Sequence, residues 1–380
     1  MYSINSIQKP ANRRLQVSLG LVWLAACSTA VQAGEAGQLQ VYGFLKANLE
    51  QVQTAGPAAP GPLRRVSNDL SVLGFRASED LGGALSVWAQ IETNVKVDTG
   101  EGPWGGRNTG IGLRGPWGEW LLGQWETPLR FVSVYAVDPF TAGIFASNSI
   151  MGNGFVTAGN GASPSSFDRR APNLLQYSSP SWASTSFKLA YALPEEKSPS
   201  LSPDLISALL SHVQGPLMLA LGHERHRDYF HAGSQDWATR LGASYSWGSL
   251  RLRGAWERLH YQPQPGKTLE RDAWQLALSV DSSSGQWRAS YVRGERARGN
   301  ASVGVGGIAA PTLSNKDGST AQQVSLGYGH RLSARSELWV AWTQLSNGES
   351  ARYNLAANPV PGLQAGQSPR GLGLGMTHKF

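Results

Sequence analysis

The stretch VLGFRASEDLGGALSVWAQIE, at residues 72–92, has the pattern of a β-hairpin. Apolar residues alternate with polar or small ones on both sides of a tight, glycine-containing turn at 78–84. Alternation with a period of two is typical of a strand with one apolar face, and clustered Gly and Asp residues mark a turn. The stretch therefore predicts two antiparallel strands. With Leu73 and Phe75 on the apolar face, Arg76 lies on the opposite face.

The same alternation recurs along the rest of the chain. Segment 38–52 shows it before the hairpin, whose first strand is predicted at 69–78, and segments such as 119–126, 250–261, 271–282, 286–297 and 370–380 show it afterwards. The segments number about 16, an even number, as single-chain bacterial barrels require. No apolar run after residue 33 reaches the roughly 18 residues of a membrane-spanning helix. The sequence therefore predicts one all-β domain.

Tight connections alternate with long ones that are rich in Gly, Pro and Ser. Turns such as 115–119 and 246–250 are short, whereas 298–320 and 347–369 are far longer. Short periplasmic turns and long external loops are typical of an outer-membrane barrel. The tryptophans stand mostly near predicted strand ends, which favours aromatic girdles at the two membrane interfaces.

Residues 1–33 have the pattern of a secretory signal and not of the fold. Basic residues precede a short apolar run at 15–27, and small residues at its end predict cleavage after Ala33, leaving 34–380 as the barrel domain. One alternative remains open, because the tetrapeptide ending at Cys27 has the form of a lipoprotein box, in which that cysteine is lipidated. Cys27 is the single cysteine. Disulfides and cysteine-based sites are therefore excluded from the mature chain.

The charge excludes a strongly basic nucleic-acid binder. Residues 1–33 hold three of the 33 basic residues and none of the 26 acidic ones, so the remainder carries about +4 instead of +7. A nucleic-acid-binding protein would gather its basic residues in runs or on one face. We therefore expect no nucleic-acid partner.

No motif for catalysis, a cofactor or a metal stands out. HERH at 223–226, with His231 nearby, is one residue short of the H-E-x-x-H zinc motif, and in a strand His223 and His226 face opposite ways. No G-x-S-x-G nucleophile motif occurs. A barrel phospholipase would need a Ser and a His close together, and no spacing in the sequence supplies such a pair. The sequence predicts a protein that is not an enzyme and carries no cofactor.

Several stretches resemble the Gram-negative general porins, in particular the trimeric porins of betaproteobacteria. The resemblance covers nearly all of the mature chain. It rests on the hairpin above and on LQVYGFLKANLE (39–50), GIGLRGPWGEWLLGQWETPL (110–129), VDPF (137–140) and GMTHKF (375–380).

This resemblance implies a 16-stranded antiparallel transmembrane β-barrel that forms a homotrimer in the outer membrane. The third external loop, here 127–170, would fold into the lumen as a constriction. The final aromatic strand would close the barrel against the first strand, and Phe380 would be read by the outer-membrane assembly machinery. Outer-membrane lipids and lipopolysaccharide, together with small hydrophilic solutes and ions, are the other partners implied.

Strand parity then selects the residues of the lumen. Ile111 and Leu113 are expected to face lipid, which turns Arg114 inward. Leu121 and Gly123 are also expected to face outward, which turns Gln124 and Glu126 inward. Two of these positions depart from the family, which often has an acidic residue at position 46 and an arginine at position 124. The expected constriction residues are Lys46, Arg76, Arg114, Gln124, Glu126, Asp138, Arg169 and Arg170.

These residues predict a water-filled porin for passive diffusion of small hydrophilic solutes and ions. Glu126 at the loop root and Asp138 on the loop are expected to face the basic residues of the wall, which predicts a transverse field across the constriction. Basic residues outnumber acidic ones in the set, which predicts a weak preference for anions. The alternative within the same architecture is a substrate-selective channel. From a different class, a secreted soluble β-protein that binds carbohydrate through its tryptophans also fits the composition.

Overall fold

A computed structural model of the protein describes residues 37–56, 59, 61–102, 104–154, 166–195, 197–306 and 311–380. The predicted signal segment, with Cys27, lies outside these residues. Its cleavage site and the resulting domain boundary stay predictions.

The described chain forms the predicted closed, antiparallel β-barrel of 16 strands. Each strand pairs with its neighbours along the chain. The strands are β1 (Gln38–Ala55), β2 (Leu63–Asn68 and Ser71–Gly82), β3 (Leu85–Val95), β4 (Thr109–Gly115), β5 (Gly118–Glu126), β6 (Arg170–Ser178), β7 (Thr185–Ala192), β8 (Asp204–Gln214), β9 (Leu217–Arg227), β10 (Gln235–Trp247), β11 (Leu250–Gln264), β12 (Lys267–Asp281), β13 (Gly285–Gly294), β14 (Ala321–Arg331), β15 (Ser336–Asn347) and β16 (Ser368–Lys379).

The first and last strands close the barrel, as the resemblance predicts. Residues 44–55 of β1 pair with residues 368–379 of β16 in antiparallel register. Next to this ladder, the Phe380 amide donates to the Gly43 carbonyl at 3.1 Å, and the Gly43 amide donates to the Phe380 carbonyl at 3.3 Å. A Cβ at Gly43 would lie 2.8 Å from the Phe380 ring. Glycine at this position therefore leaves room for the aromatic side chain.

β2 is one barrel strand with an interruption. Its two segments both pair with β1. Between them Leu70 has a φ of 82°, in the left-handed region that a residue with a side chain seldom adopts. The predicted strand, 69–78, starts at this interruption and misses the first segment, because polar Asn68 and Asp69 have the composition of a turn.

Side chains alternate between an apolar outer face and a mostly polar inner face. On β16, Leu372, Leu374 and Met376 are exposed on the outside, while the glycines between them face inward. The outer face carries aromatic contacts near the short-turn end, where the Trp120 and Tyr177 rings are 4.9 Å apart. This arrangement suits a lipid environment, since apolar side chains meet the hydrocarbon and aromatic rings meet the interface.

Some of the tryptophans predicted for the girdles lie on the inner face instead. Trp88 and Trp339 are buried. Their parity explains this, because Ile91 on β3 and Leu338 on β15 are exposed on the outside and each lies an odd number of residues away. A position near a strand end therefore did not decide which face each indole occupies.

Short and long connections lie at opposite ends of the barrel. The turns at 116–117, 215–216 and 248–249 mark the end that we assign to the periplasm. The other end carries the long connections, such as 295–320, which contains the short segments Arg298–Gly299, Val305–Gly306 and Pro311–Leu313. β11 and β12 depart from this pattern, because they extend beyond the predicted strands to a tight turn at 265–266.

The connection between β5 and β6, residues 127–169, is called the inner loop below. It contains a π-helical turn at Val132–Val137 and two 3-10 turns at Ser147–Ser149 and Met151–Asn153. Part of it, 155–165, lies outside the described residues. No helix in the described part of the chain is long and apolar enough to cross a membrane.

Removal of Phe380 should impair assembly of the barrel. The deletion removes the two backbone hydrogen bonds to Gly43 and the ring that packs beside it, at the seam where the barrel closes. We expect a large fall in the heat-modifiable folded oligomer in outer-membrane fractions, with Phe380→Tyr as the matched control that keeps an aromatic ring. Normal assembly of the truncated chain at native expression would contradict this role for Phe380.

Candidate functional site

The inner loop lies inside the barrel against its wall. Its apolar side chains fill the space above inward-facing glycines of the strands. A Cβ at Gly242 would lie 2.6 Å from Cγ1 of Val132, and a Cβ at Gly373 would lie 2.9 Å from the ring of Phe145. Gly371 has the same relation to Ile144. The absence of side chains at these wall positions therefore gives the inner loop its seat.

Polar wall residues hold the backbone of the inner loop. Gln323 on β14 donates to the carbonyl of Ile144 at 3.0 Å, and Ser325 donates to the carbonyl of Phe145 at 2.8 Å. At the start of the loop, the Leu129 amide donates to the Ser207 hydroxyl. These bonds satisfy backbone groups that are shielded from water and fix the loop to opposite sides of the barrel.

A buried ionic triad on β10, β11 and β12 forms a further anchor. Glu257 lies between Arg240 and Arg271, with N–O distances of 2.8 Å from Arg240 Nε to Glu257 Oε2 and from Arg271 Nη2 to Glu257 Oε1. All three side chains are fully buried. Arg240 also donates to the Leu129 carbonyl at 3.2 Å and Arg271 donates to the Ile150 carbonyl at 2.9 Å.

The triad therefore supplies hydrogen-bond partners to the inner loop and to the barrel wall at the same time. Two guanidinium groups share one carboxylate, and each of them also donates to one carbonyl oxygen of the inner loop. The Gly152 amide completes the arrangement by donating to Glu257 at 2.9 Å. Sequence parity on β10 to β12, with Leu241 and Trp274 facing outward, could have identified these charges as inward.

The root of the inner loop carries a second ionic network, which includes two expected constriction residues. Glu126 accepts from Arg130 at 2.7 Å and from Arg170. Arg130 also donates to Asp168 at 2.7 Å, and Arg170 donates to Asn108 at 2.8 Å. The network joins the two ends of the loop. Glu126 and Arg170 therefore take part in holding the loop root.

Two expected residues of the inner loop are mostly buried. Asp138 is 6% exposed, and its carboxylate accepts from the Phe140 amide and from both the amide and the hydroxyl of Ser147. Burial raises the pKa of this carboxyl, and those hydrogen bonds oppose the rise. Asp138 thus stabilises the loop from within, contrary to the expectation that it faces the basic wall. Arg169 is 9% exposed, with its guanidinium 5.1 Å from the centre of the Tyr229 ring.

Lys46 faces inward beside the inner loop. Its ammonium lies 3.7 Å from Asp69 and 4.9 Å from the centre of the Trp339 ring. Asn48 also donates to Asp69 at 2.9 Å. A Cβ at Gly143 of the loop would lie 2.6 Å from the same carboxylate. The Lys46–Asp69 pair is therefore next to the loop, away from the loop root.

Arg76 and Arg114 form a separate group nearer the periplasmic end. Both line an inward cleft of about 330 Å³, together with Gln38, Gln40, Ser78, Ser86 and Trp88. The Arg76 guanidinium lies 5.0 Å from the centre of the Trp88 ring, and Arg114 is paired with Glu119. The expected constriction residues thus fall into several groups along the lumen and do not form one ring.

The parity expected for β5 is wrong at Leu121. This side chain is 2% exposed on the inside, whereas Trp120 and Leu122 are exposed on the outside. A register shift between Gly123 and Trp125 then changes the alternation before Glu126. Because Leu121 and Leu122 are adjacent, the sequence does not determine which of the two faces outward. No residue type in this stretch indicates the register shift.

Gln124 lies within this shift and donates a hydrogen bond to a residue that sequence reasoning missed. It donates to the carbonyl of Arg107 at 3.2 Å. Arg107 is largely buried and pairs with Glu92 at 2.6 Å, and Glu92 also accepts from Tyr42 at 3.1 Å. Arg107 precedes β4 in a connection, so parity could not assign it to the lumen.

A closed barrel with a polar lumen, partly filled by a docked loop, defines an outer-membrane channel protein. The model of the family "Gram-negative porin" matches residues 20–350. The chain belongs to this family of outer-membrane porins and is a passive channel.

Individual relatives agree with this assignment. The chain is 27% identical to outer membrane porin protein 32 of Delftia acidovorans, over 95% of this chain and 99% of that one. It is 30% identical to the major outer membrane protein P.IB of Neisseria meningitidis serogroup B over 30% of this chain and 35% of that protein. The fold is similar to that of an anion-selective porin from Comamonas acidovorans, with a TM-score of 0.75 and 23% identity, over 91% of this chain and all of that structure.

Replacement of Arg271 by Met should loosen the inner loop. The change removes the hydrogen bond to the Ile150 carbonyl and one of the two guanidinium groups that pair with Glu257. Breaking a buried ion pair costs about 3–5 kcal/mol. We therefore expect a lower conversion temperature of the heat-modifiable oligomer and a larger, noisier single-channel conductance.

The matched control is Arg253→Met on the same inner wall. Arg253 donates to Ser279 at 2.7 Å and has no bond to the inner loop among the described contacts. This variant should keep the wild-type conversion temperature. Equal stability and equal current noise in the two variants would contradict an anchoring role for Arg271.

Proposed function

We propose that this porin is a homotrimer that passes small hydrophilic solutes and ions with a weak preference for anions, and that it carries out no catalytic step. The residues proposed to line its pore are those of the expected set that keep an inward position beside open space, chiefly Lys46, Arg76 and Arg114. A structural neighbour from Vibrio cholerae is described in a trimer form, which supports the oligomer. Outer-membrane lipids, lipopolysaccharide and the assembly machinery are its further proposed partners.

The charge balance of the lumen wall carries the proposal. Several inward carboxylates have basic partners, as in the pairs of Asp69 with Lys46, Glu92 with Arg107 and Glu119 with Arg114. Paired charges largely cancel for an ion at a distance. The field along the wall therefore depends on charges that lack an opposite partner.

Several of these charges are positive, and two of them are those of Arg76 and Lys188. Arg76 and Lys188 form no ion pair among the described residues. Lys188 on β7 faces inward, since its neighbours Phe187 and Leu189 are exposed on the outside. The inner loop adds no exposed carboxylate, because its two acidic residues, Asp138 and Asp168, are both buried. The net effect favours anions.

This charge distribution differs from the transverse field expected across the constriction. That expectation needed acidic groups on the loop to face basic groups on the wall, and Asp138 is buried instead. The proposed preference therefore comes from an excess of positive charge on the wall. A neighbour of known fold is described as anion-selective, which supports the same sign here.

A substrate-selective channel is the second candidate, favoured by the cleft around Trp88. Its volume of about 330 Å³ and its polar lining of Gln38, Gln40, Arg76 and Arg114 suit a small anionic solute. Saturation of the current with rising concentration of one organic anion would distinguish this function from general diffusion.

Replacement of both Arg76 and Lys188 by Gln should reduce the anion preference. A unit charge interacts with an ion about 4 Å away by about 1 kcal/mol in water, so each loss should lower the chloride-to-potassium permeability ratio by roughly two- to fivefold. The measurement is the reversal potential of the purified oligomer in a KCl gradient.

The matched control removes a neutral pair through Arg114→Gln combined with Glu119→Gln. This double variant should keep the wild-type reversal potential, because it removes one charge of each sign. A cation-selective wild type, or an equal shift in both double variants, would contradict the proposed origin of selectivity.

A further inference from the structure

Three arginines and a serine lie together on the inner wall of β11 to β13, near the periplasmic end of the barrel. Arg251, Ser279 and Arg288 form one register row across the three strands. Arg253, two residues further along β11, donates to the Ser279 hydroxyl at 2.7 Å. We call these four residues the arginine cluster. Because neighbouring strands lie about 4.8 Å apart, the backbones of Arg251 and Arg288 are roughly 10 Å apart, and their long side chains can reach one group above Ser279.

The arginine cluster faces the lumen just below the inner loop. Leu252 and Trp287 are exposed on the outside, so the arginines next to them in the chain point inward. The register partner of Arg288 on β14 is Gly327, where a Cβ would lie 2.9 Å from the Phe140 ring of the inner loop. A solute that has passed the inner loop therefore passes the arginine cluster on its way to the periplasm.

The arginine cluster carries more positive charge than its surroundings balance. Arg288 donates to Glu337 at 2.6 Å, whereas Arg251 and Arg253 form no ion pair among the described residues. The guanidinium of Arg253 is instead repelled by the charges of Arg251 and Arg288. Arg251 is exposed, so this uncompensated charge borders the water of the lumen.

The carboxylates that attract Arg253 already have other partners. They are Asp138 and Asp281. Asp138 accepts from the Ser147 amide at 2.7 Å inside the inner loop, and Asp281 pairs with Arg331 at 2.8 Å. Among the described residues, no further carboxylate thus balances the two arginines of β11.

The groups that the arginine cluster offers to a ligand are hydrogen-bond donors. A guanidinium has five N–H donors and no acceptor, and the Ser279 hydroxyl, which accepts from Arg253, still has its own proton to donate. Such a site favours a ligand rich in acceptors. A phosphate dianion fits, because its double charge offsets the charges of Arg251 and Arg253 and its oxygens match the planar fork of arginine. Chloride has a single charge and no pair of oxygens for such a fork.

We propose that the arginine cluster binds the doubly charged phosphate group of a solute in transit, either inorganic phosphate or a small phosphate monoester. Arg251 and Arg253 would contact the phosphate oxygens, with the Ser279 hydroxyl as a further donor. Arg288 would add its charge from across the row while it stays bonded to Glu337. The inference rests on the proposed anion-favouring channel and goes beyond it, because a binding site makes the flux of one chemical class saturable.

The test measures how phosphate inhibits the chloride current of the purified oligomer in planar bilayers. The KCl concentration is held constant, and phosphate is added at a pH above its second pKa. Inhibition should saturate in the wild type. In Arg251→Gln with Arg253→Gln, the half-inhibiting phosphate concentration should rise by at least about tenfold, the effect of losing charge-assisted hydrogen bonds to an anion. Inorganic phosphate and glycerol phosphate are compared, and the lower half-inhibiting concentration identifies the source of the phosphate group.

A lysine variant separates the geometry of the site from its charge. Arg251→Lys with Arg253→Lys keeps both positive charges and should therefore keep the wild-type reversal potential in a KCl gradient. It removes the planar forks, so the half-inhibiting phosphate concentration should still rise severalfold. An unchanged phosphate response in this variant would contradict recognition by the arginine forks.

The matched control is Arg76→Gln with Lys188→Gln, which also removes two inward positive charges but leaves the arginine cluster intact. It should shift the reversal potential and leave the half-inhibiting phosphate concentration nearly unchanged. Absence of saturable inhibition in the wild type, or an equal rise in this control and in Arg251→Gln with Arg253→Gln, would overturn the proposal. A cation-selective wild type that phosphate still inhibits through the arginine cluster would contradict the proposed channel selectivity and support the site.

Discussion

The hydrogen-bonded seam between β1 and β16 is the interaction on which the rest of the structure depends. A sheet in a bilayer cannot leave an open edge, because unpaired backbone groups in hydrocarbon cost several kcal/mol each. Pairing of residues 44–55 with 368–379 removes that edge. Closure also fixes which side chains face lipid and which face water. Since Gly371 and Gly373 lie beside the inner loop, the seam is at the same time part of the loop's seat.

Inside the closed wall, charge serves two separate purposes. The buried triad of Arg240, Glu257 and Arg271 holds the inner loop, and both of its guanidinium groups pair with the one carboxylate. Arg76 and Lys188 form no ion pair among the described residues, and their charges are the ones proposed to act on passing ions. Basic side chains thus hold the loop where they are buried and are proposed to set the ion preference where they line the lumen.

Local alternation and the family resemblance predicted the fold and the inward positions of Lys46, Arg76 and Arg114, because strand parity follows directly from residue order. Parity failed on β5, where a register shift near Gly123 has no signature in the residue types. Contacts of the inner loop with strands more than 100 residues away, such as Arg271 with the Ile150 carbonyl, depend on closure of the barrel. No local pattern contains that information.

A docked inner loop can be tested with cysteines, since the only native cysteine is Cys27. A Cβ at Gly294 would lie 2.9 Å from Cγ2 of Ile150, so the two Cβ atoms come within the roughly 3.5–4.5 Å that a disulfide spans. Ile150→Cys with Gly294→Cys should oxidise fully in the folded oligomer, unlike Ile150→Cys with Gly285→Cys at the other end of β13. Its single-channel conductance should be the same before and after reduction. Absence of the disulfide, or a rise in conductance on reduction, would contradict a loop held against the wall.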